Sequence, residues 1–293
     1  MPTTAIIYLL SACFFWGVSF IATKMALSAV PPLTVVALRL IVSAVCFVVW
    51  FAIKERRLAL GPRGLFWQII LLSLFGTSFH YSLQTVGLQF TTATNASIYA
   101  ITGPISIIII SALFLNEKVT IKKATGIILA IGGVILVMGP DELLSFNIKG
   151  HLLGDILVLV SIVLWGAFTV YGKKLTGKLS PLELTSAVTV WGALSMIPVG
   201  LWEIAKYDFS FALVTIRAWL AIAFLGITCS FLATLFYMQA LEKTESQKVG
   251  VFLYTIPVIT YITAALFFEE TSGILLLLGS ILVFSGVYIT ERR

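Results

Sequence analysis

Long apolar runs separated by short polar gaps dominate this sequence. Ten such runs, each 18 to 24 residues long, lie near 5–25, 33–53, 66–86, 92–115, 122–139, 151–172, 182–204, 217–240, 246–268 and 272–290. A transmembrane helix needs about 20 mostly apolar residues to cross the bilayer core. Because hydrocarbon satisfies no backbone polar group, runs of this length indicate helices. The sequence therefore predicts an all-α membrane protein with ten transmembrane helices.

The composition excludes a soluble fold. Hydrophobic residues make up 59% of the chain and charged residues only 11%, whereas soluble domains carry about 25% charged residues. The net charge of +6 does not indicate nucleic-acid binding, because basic residues in membrane proteins chiefly set the orientation. The first apolar run has no basic segment before it and is as long as the others, so we interpret it as a span and not as a cleaved signal peptide.

The basic residues are distributed unevenly between the two sides of the predicted bundle. Fourteen of the 19 Lys and Arg residues lie in the gaps after spans 2, 4, 6 and 8 or in the C-terminal tail, and four lie in the other gaps. Cytoplasmic loops of membrane proteins carry an excess of Lys and Arg. We therefore expect a multi-pass protein of the inner (plasma) membrane with both termini in the cytoplasm.

Parts of the first half of the chain recur in the second half. The Trp-Gly pair at 16–17 recurs at 165–166, which is 149 residues later. Pro104 likewise corresponds to Pro257, 153 residues later. The offsets differ by a few residues, as loop insertions would make them. The chain therefore contains two copies of one unit.

The two copies are predicted to have opposite orientations in the membrane. Each half, 1–145 and 150–293, holds five spans, and after an odd number of spans the second copy enters from the other face. This arrangement is an inverted repeat of two five-helix units, an architecture typical of secondary transporters. Exchange between two packings of such units opens a central site first to one side and then to the other.

Several motifs resemble those of a known family. The matching stretches are Trp16-Gly17, Arg39, Asn95-Ala96-Ser97, Pro104, Leu115-Asn116-Glu117-Lys118 and the run from Pro257 to Glu270. In order and spacing they resemble EamA-type members of the drug/metabolite transporter superfamily over essentially the whole chain. The resemblance implies ten helices, cytoplasmic termini and, in most members, export of small organic metabolites or drugs. It names no substrate.

Two prolines lie near the centres of predicted spans 4 and 9. Pro104 and Pro257 lack an N–H, so the carbonyls of Ala100 and Leu253 would lose their helical donors. Freed carbonyls at this depth are tolerated where protein or a water-filled cavity satisfies them. We therefore predict a pair of hinges beside a cavity, with passive kinks as the alternative.

A solute site is predicted among aromatic and polar side chains at similar depth. They are Trp16, His80, Tyr81, Gln84, Asn95, Tyr99, Trp165, Tyr237 and Tyr254. Tyr and Trp combine apolar faces with one polar group, which suits an amphipathic ligand that is uncharged or zwitterionic. For any one of them alone, ordinary helix packing is the alternative.

Few charges fall inside the predicted spans. Arg39 and Asp155 have opposite signs and similar depths, so we predict a buried ion pair. The alternatives are that Arg39 binds helix-end carbonyls or extends to the interface, and that Asp155 caps a helix or lines a pore. His80 and Asp155 are the candidates for proton coupling. Glu117 and Glu270 end spans 4 and 9 as gate residues or as solvated carboxylates.

Other functions fit the sequence less well. It contains two histidines, no GxSxG and no HExxH motif, so we expect no enzyme, and its three cysteines have no metal-binding spacing, so we expect neither metal nor cofactor. A channel would need a filter-like loop. The remaining alternative is a lipid flippase or scramblase, which would expose a polar stripe to lipid. We predict a monomer or weak dimer that transports, and most simply exports, an aromatic or apolar amino acid or a drug-like compound.

Overall fold

The computed structural model describes residues 1–91, 99, 102–144, 148–268 and 274–291, and every regular element in these ranges is helical. The helices are α1 (Thr3–Leu27), α2 (Pro32–Ile53), α3 (Arg63–Phe90), α4 (Thr102–Phe114), α5 (Ile121–Leu144), α6 (Ile148–Thr176), α7 (Pro181–Lys206), α8 (Ile216–Lys243), α9 (Ser246–Phe252), α10 (Thr255–Phe268) and α11 (Ile274–Glu291), with a short 3₁₀ turn at Phe211–Leu213. The prediction of an all-α protein is confirmed.

Six of these helices are long and apolar enough to cross a membrane. They are α1, α2, α3, α7, α8 and the Leu152–Thr176 part of α6. Many large apolar side chains on their outer faces are exposed, as expected for contact with lipid. The chain is therefore an integral multi-pass membrane protein. The other four predicted spans coincide with α4, α5, α9–α10 and α11, so the count of ten stays a prediction.

The main helix contacts join the first half of the chain to the second. Helix α2 packs on α7, α5 on α11, α3 on α6 and α1 on α8. In addition, α4 packs on α6, and α10 packs on α1. The interior of the bundle thus lies between the halves, and residues of both contribute to it.

The two Trp-Gly motifs allow close helix contacts. A Cβ atom on Gly17 would lie 2.7 Å from Cγ2 of Ile259 in α10, and one on Gly166 would lie 3.4 Å from the backbone nitrogen of Ile107 in α4. Small residues at helix interfaces permit this proximity in membranes. The adjacent tryptophans are consequently held close to α10 and α4.

Helices α3 and α8 each contain a π-helical segment, at Leu74–Phe79 and Leu225–Ala233. The two segments begin 151 residues apart, close to the offset of the sequence repeat. A π-helical turn shifts backbone bonding and is often found at functional sites. Here the carbonyl of Cys229 accepts a hydrogen bond from Nε1 of Trp16, at 3.2 Å, so the distorted segment anchors an indole ring of the interior.

The predicted single helix over 246–268 is interrupted in the structure. Helix α9 ends at Phe252, and α10 begins at Thr255, so Pro257 is the third residue of a new helix and not the centre of a long one. The N–H groups of a first helical turn have no intrahelical acceptor, so a proline there removes no helical hydrogen bond. The carbonyl of Leu253, which we expected to lose its donor, accepts the N–H of Ile256 at 3.0 Å. The loss of a helical donor predicted at Leu253 therefore does not occur, and the role of Pro257 as a hinge stays a prediction.

Candidate functional site

A cavity of about 100 Å³ lies in the interior of the bundle. Its lining comes from both halves of the chain and consists of Trp16, Ser19, Phe20, Arg39, His80, Tyr81, Gln84, Gly103, Ile162, Trp165, Leu253 and Ile256. Five of the residues predicted to bind a solute are among them: Trp16, His80, Tyr81, Gln84 and Trp165. Pro104 follows the lining residue Gly103, and Pro257 follows the lining residue Ile256.

Aromatic rings form one continuous wall of this cavity. The rings of Trp16 and Trp165 meet edge to face, with centroids 5.1 Å apart and planes at 85°. His80 lies 5.0 Å from the Trp165 ring and 5.0 Å from the Tyr81 ring. Edge-to-face and tilted contacts at such distances are favourable. Helices α1, α3 and α6 thus place three kinds of ring around one space.

Tyr237 supports this wall from behind and does not line the cavity. Its ring is 0% exposed and lies 5.2 Å from Trp16 and 5.5 Å from Trp165. Its hydroxyl is 2.9 Å from Oγ1 of Thr169, so the buried polar group has a partner. Of the predicted binding residues, Tyr237 is one that the structure places outside the lining.

Two other predicted residues also lie apart from the cavity lining. Tyr254 is buried beside the break between α9 and α10, and its hydroxyl has no hydrogen-bond partner among the described residues. Tyr99 packs against the cluster that contains Leu88 and Val158. Asn95 lies outside the described residues.

His80 lines the cavity, and one of its ring nitrogens is bound to the backbone of α6. It follows the π-helical segment of α3 directly and is buried. Its Nδ1 is 2.8 Å from the carbonyl oxygen of Ser161, and since a carbonyl only accepts, Nδ1 carries the proton. Nε2 is then the acceptor of the neutral ring. Gln84 is four residues further along α3, so it lies on the same face one turn later.

The structure does not bring Arg39 and Asp155 together. No carboxylate of the described residues lies within 4.0 Å of Arg39, and the two ion pairs found there join other groups. Nε of Arg39 donates to Oγ of Ser230 at 3.0 Å, and the guanidinium carbon lies 4.1 Å from the centroid of the Tyr81 ring. Oδ1 of Asp155 instead accepts from Oγ1 of Thr91 at 2.6 Å. The predicted ion pair is replaced by these neutral partners.

Glu117 is a partly buried carboxylate that caps a helix. Its two carboxylate oxygens accept the backbone N–H groups of Ser246 and Gln247, at 2.8 and 3.0 Å. This joins the chain after α4 to the start of α9. Lys123 adds bonds to the carbonyl of Lys118 and to the side chain of Gln247, each at 2.9 Å. Glu270, its predicted counterpart, lies outside the described residues.

Glu203 was missed by sequence reasoning. This buried carboxylate of α7 accepts the N–H of Thr34 at 2.6 Å, the hydroxyl of Thr34 at 2.8 Å and the N–H of Leu33 at 3.2 Å. It therefore satisfies the first turn of α2, whose N-terminal Pro31 and Pro32 supply no side-chain cap. An isolated acidic residue near the end of an apolar run was the only available signal.

No group of three metal-ligating side chains occurs in the part of the chain that the structure describes. The cavity lining offers aromatic faces, the polar side chains of Ser19, His80 and Gln84, and one guanidinium. Side chains of these kinds suit an amphipathic solute.

Comparison with known proteins identifies a family. The model of the EamA-like transporter family matches residues 3–139 and 152–292. An uncharacterized transporter of Archaeoglobus fulgidus is 30% identical over 279 residues, covering 95% of this chain and 94% of the relative. The uncharacterized transporter YoaV of Bacillus subtilis is 24% identical, covering 96% and 94%. One crystal structure matches with a TM-score of 0.82 at 17% identity, covering 99% of this chain and 98% of that chain, which shows a shared fold.

Proposed function

Because this chain belongs to the EamA-like transporter family, we propose that it is a secondary active transporter that moves a small organic solute across the inner membrane by alternating access. The observation that carries this proposal is the interior cavity lined by both halves. A site shared by two repeats is the position at which rocking of one unit against the other exchanges access. The proposed units are 1–145 and 150–293, inverted with respect to each other.

The pattern of helix contacts supports a two-fold relation between the two repeats. Contact of α3 with α6 is matched by contact of α8 with α1, and contact of α4 with α6 is matched by contact of α10 with α1. In the repeat, α1 corresponds to α6, α3 to α8 and α4 to α10. Replacing each helix by its counterpart converts one contact of each pair into the other. A pseudo-two-fold axis would produce these reciprocal pairs.

The size of the cavity favours a contracted state of the transport cycle. About 100 Å³ holds a few water molecules, each of which occupies about 30 Å³. Pockets for small organic ligands are larger, at about 300–1,000 Å³. Solute entry would therefore require the halves to separate, and the break between α9 and α10 at the cavity wall offers a hinge. The corresponding hinge would lie near Pro104.

The proposed solute is amphipathic. Aromatic rings cover one wall of the cavity, and polar groups of Arg39, His80 and Gln84 reach the lining, which suits an aromatic or apolar amino acid or a drug-like compound. The family resemblance favours export, and the excess of basic residues in alternate gaps favours cytoplasmic termini. His80 is the proposed proton-coupling group because, among the described lining residues, it is the type whose ordinary pKa lies closest to physiological pH.

A lipid flippase or scramblase is favoured by one surface feature. A groove between α3 and α6 carries Lys174 and Lys178 near its end, with Leu71, Phe75 and Tyr171 along it. However, Phe168 lines this groove while the adjacent Trp165 lines the cavity, and their rings are in contact at 5.0 Å. The polar groups of the cavity thus lie behind an aromatic pair, which favours an enclosed solute site over a lipid pathway.

Counterflow in proteoliposomes tests the proposed function. Purified protein should exchange at least one labelled member of a panel of amino acids and aromatic compounds, with and without a pH gradient. Dependence on the gradient would support proton coupling. Scrambling of fluorescent phospholipids with no exchange of any panel member would overturn the proposal in favour of the lipid alternative.

A further inference from the structure

Arg39 is a buried charge without a counter-charge. It lies seven residues after the start of α2, about 10 Å along the helix axis, and it is 3% exposed. In the described ranges no Asp or Glu lies within 4.0 Å of its guanidinium. An unpaired charge at this depth is unfavourable, and such residues in membrane proteins usually mark a pathway or a binding site.

The guanidinium is held in place by neutral groups. Nε is bound to Oγ of Ser230 at 3.0 Å, and the Tyr81 ring lies 4.1 Å from the guanidinium carbon. The backbone at this point is fixed as well, because a Cβ atom on Gly226 of α8 would lie 2.9 Å from the Arg39 carbonyl oxygen. Arginine has five N–H donors, and among the described residues one of them is bound, to Ser230. The side chain is therefore oriented while most of its donors remain for another partner.

The lining of the cavity holds a cation but no anion. Arg39 is among its lining residues, and none of the described lining residues is Asp or Glu. A carboxylate matches the planar fork of a guanidinium with two parallel hydrogen bonds. Trp16 and Trp165 stand in the same lining and would contact an apolar group attached to that carboxylate.

We propose that Arg39 is the carboxylate-binding residue of this cavity, so that the transported solutes are small organic acids or amino acids with an apolar or aromatic group. The inference rests on the proposed transport function and specifies its substrate class. It requires a carboxylate on the solute and does not require an amino group, since no lining acid is present among the described residues to bind one. Tyr81 and Ser230 act as positioning residues for the guanidinium.

A series of three compounds with one phenyl group tests this assignment. L-Phenylalanine carries a carboxylate and an ammonium group, 3-phenylpropionate carries only the carboxylate, and phenylalanine amide carries only the ammonium group. Binding to the purified full-length protein is measured by isothermal titration calorimetry. We expect both acids to bind at least about tenfold more tightly than the amide, as for loss of one charged hydrogen-bonded pair.

Variants assign the preference to Arg39. Arg39→Gln should abolish the preference for acids, while Arg39→Lys should retain part of it because a lysine supplies charge without the planar fork. Arg217→Gln is the matched control, since Arg217 is exposed at the start of α8, and it should bind all three compounds as the wild type does. If Arg39→Gln fails to fold, Ser230→Ala serves instead and should weaken binding of the acids alone.

The outcomes separate this inference from the proposed function. Amide binding as tight as acid binding in the wild type, absence of binding by any of the three, or an unchanged acid preference in Arg39→Gln would overturn the role of Arg39. In each of these cases, counterflow of a neutral solute would still support the proposed transport function. Conversely, an Arg39-dependent acid preference without counterflow of any compound would support the carboxylate site and contradict transport.

Discussion

The indole rings of Trp16 and Trp165 touch edge to face, with centroids 5.1 Å apart, although 149 residues separate them in the sequence. Each tryptophan precedes the glycine that lets its helix approach a partner, α10 for α1 and α4 for α6. The repeated motif therefore meets its own copy at the cavity, and the same two side chains join the halves there and line the site.

Replacement of Trp165 should impair both packing and solute binding. Its ring contacts Trp16, His80 and Phe168 at 5.0–5.1 Å, and such aromatic pairs contribute about 0.5–1.5 kcal/mol each. Trp165→Ala should weaken solute binding by about tenfold or more and lower the melting temperature, whereas Trp165→Phe should retain much of both.

The matched control for Trp165 is Trp202→Ala, which removes an indole that is 56% exposed on α7. It should leave solute binding, measured by titration calorimetry, unchanged. Equal losses in both alanine variants would show that Trp165 has no special role in the cavity.

Glycines 132 and 133 provide a test of the contact between α5 and α11. A Cβ atom on Gly133 would lie 2.7 Å from the carbonyl oxygen of Gly279, whereas one on Gly132 meets nothing within 4 Å. Gly133→Ala should therefore force the two helices apart and lower the melting temperature. Gly132→Ala should be neutral or slightly stabilising, because alanine favours a helix by about 1 kcal/mol over glycine. A thermal scan in which the two variants behave alike would contradict this packing.

Glu203 should stabilise the start of α2. Glu203→Ala leaves the buried N–H and hydroxyl of Thr34 and the partly buried N–H of Leu33 without their acceptor, and each buried group costs about 1–3 kcal/mol. We expect a clear fall in thermal stability, and a smaller one for Thr34→Val, which removes a single donor. Glu183→Ala is the control, because Glu183 caps its own helix at the exposed end of α7. A loss no larger than that control would refute the buried cap.

Glu117 should hold the start of α9 against the end of α4. Glu117→Ala removes both acceptors of the Ser246 and Gln247 N–H groups, and loss of a helix cap costs about 0.5–2 kcal/mol. Glu117→Gln keeps one acceptor oxygen and should lie between the alanine variant and the wild type. Thermal unfolding and hydrogen exchange of residues 246–252 measure the effect. Unchanged exchange in Glu117→Ala would argue against this cap.

Much of the architecture follows from sequence patterns, and its departures have physical causes. The apolar runs identify the long helices because lipid requires both length and apolarity, and the recurrence of Trp16 at Trp165 places both in one interior. The interruption at Leu253 and Tyr254 was missed because an apolar run looks the same whether its backbone is continuous or broken. The π-helical segments were missed for the same reason.

Side-chain partners were the least predictable feature. Arg39 and Asp155 have compatible signs and depths, but depth along a helix does not specify which face a residue occupies. In the structure the guanidinium meets Tyr81 and Ser230, and these residues come from α3 and α8, which no local pattern connects to α2. The cap formed by Glu203 likewise joins α7 to α2 across the bundle.

The most direct test of the account is the accessibility of one cavity position from both sides of the membrane. Ser19 lines the cavity, and Ser19→Cys would be made in a protein whose Cys13, Cys46 and Cys229 are replaced by alanine. Ser43→Cys is the control, because Ser43 is 0% exposed and is not a lining residue. Alternating access predicts that an impermeant maleimide reaches the thiol introduced by Ser19→Cys from either side of oriented proteoliposomes. Bound solute should slow the reaction from both sides. The control variant should remain unlabelled. Labelling from one side only, unaffected by solute, would contradict the account.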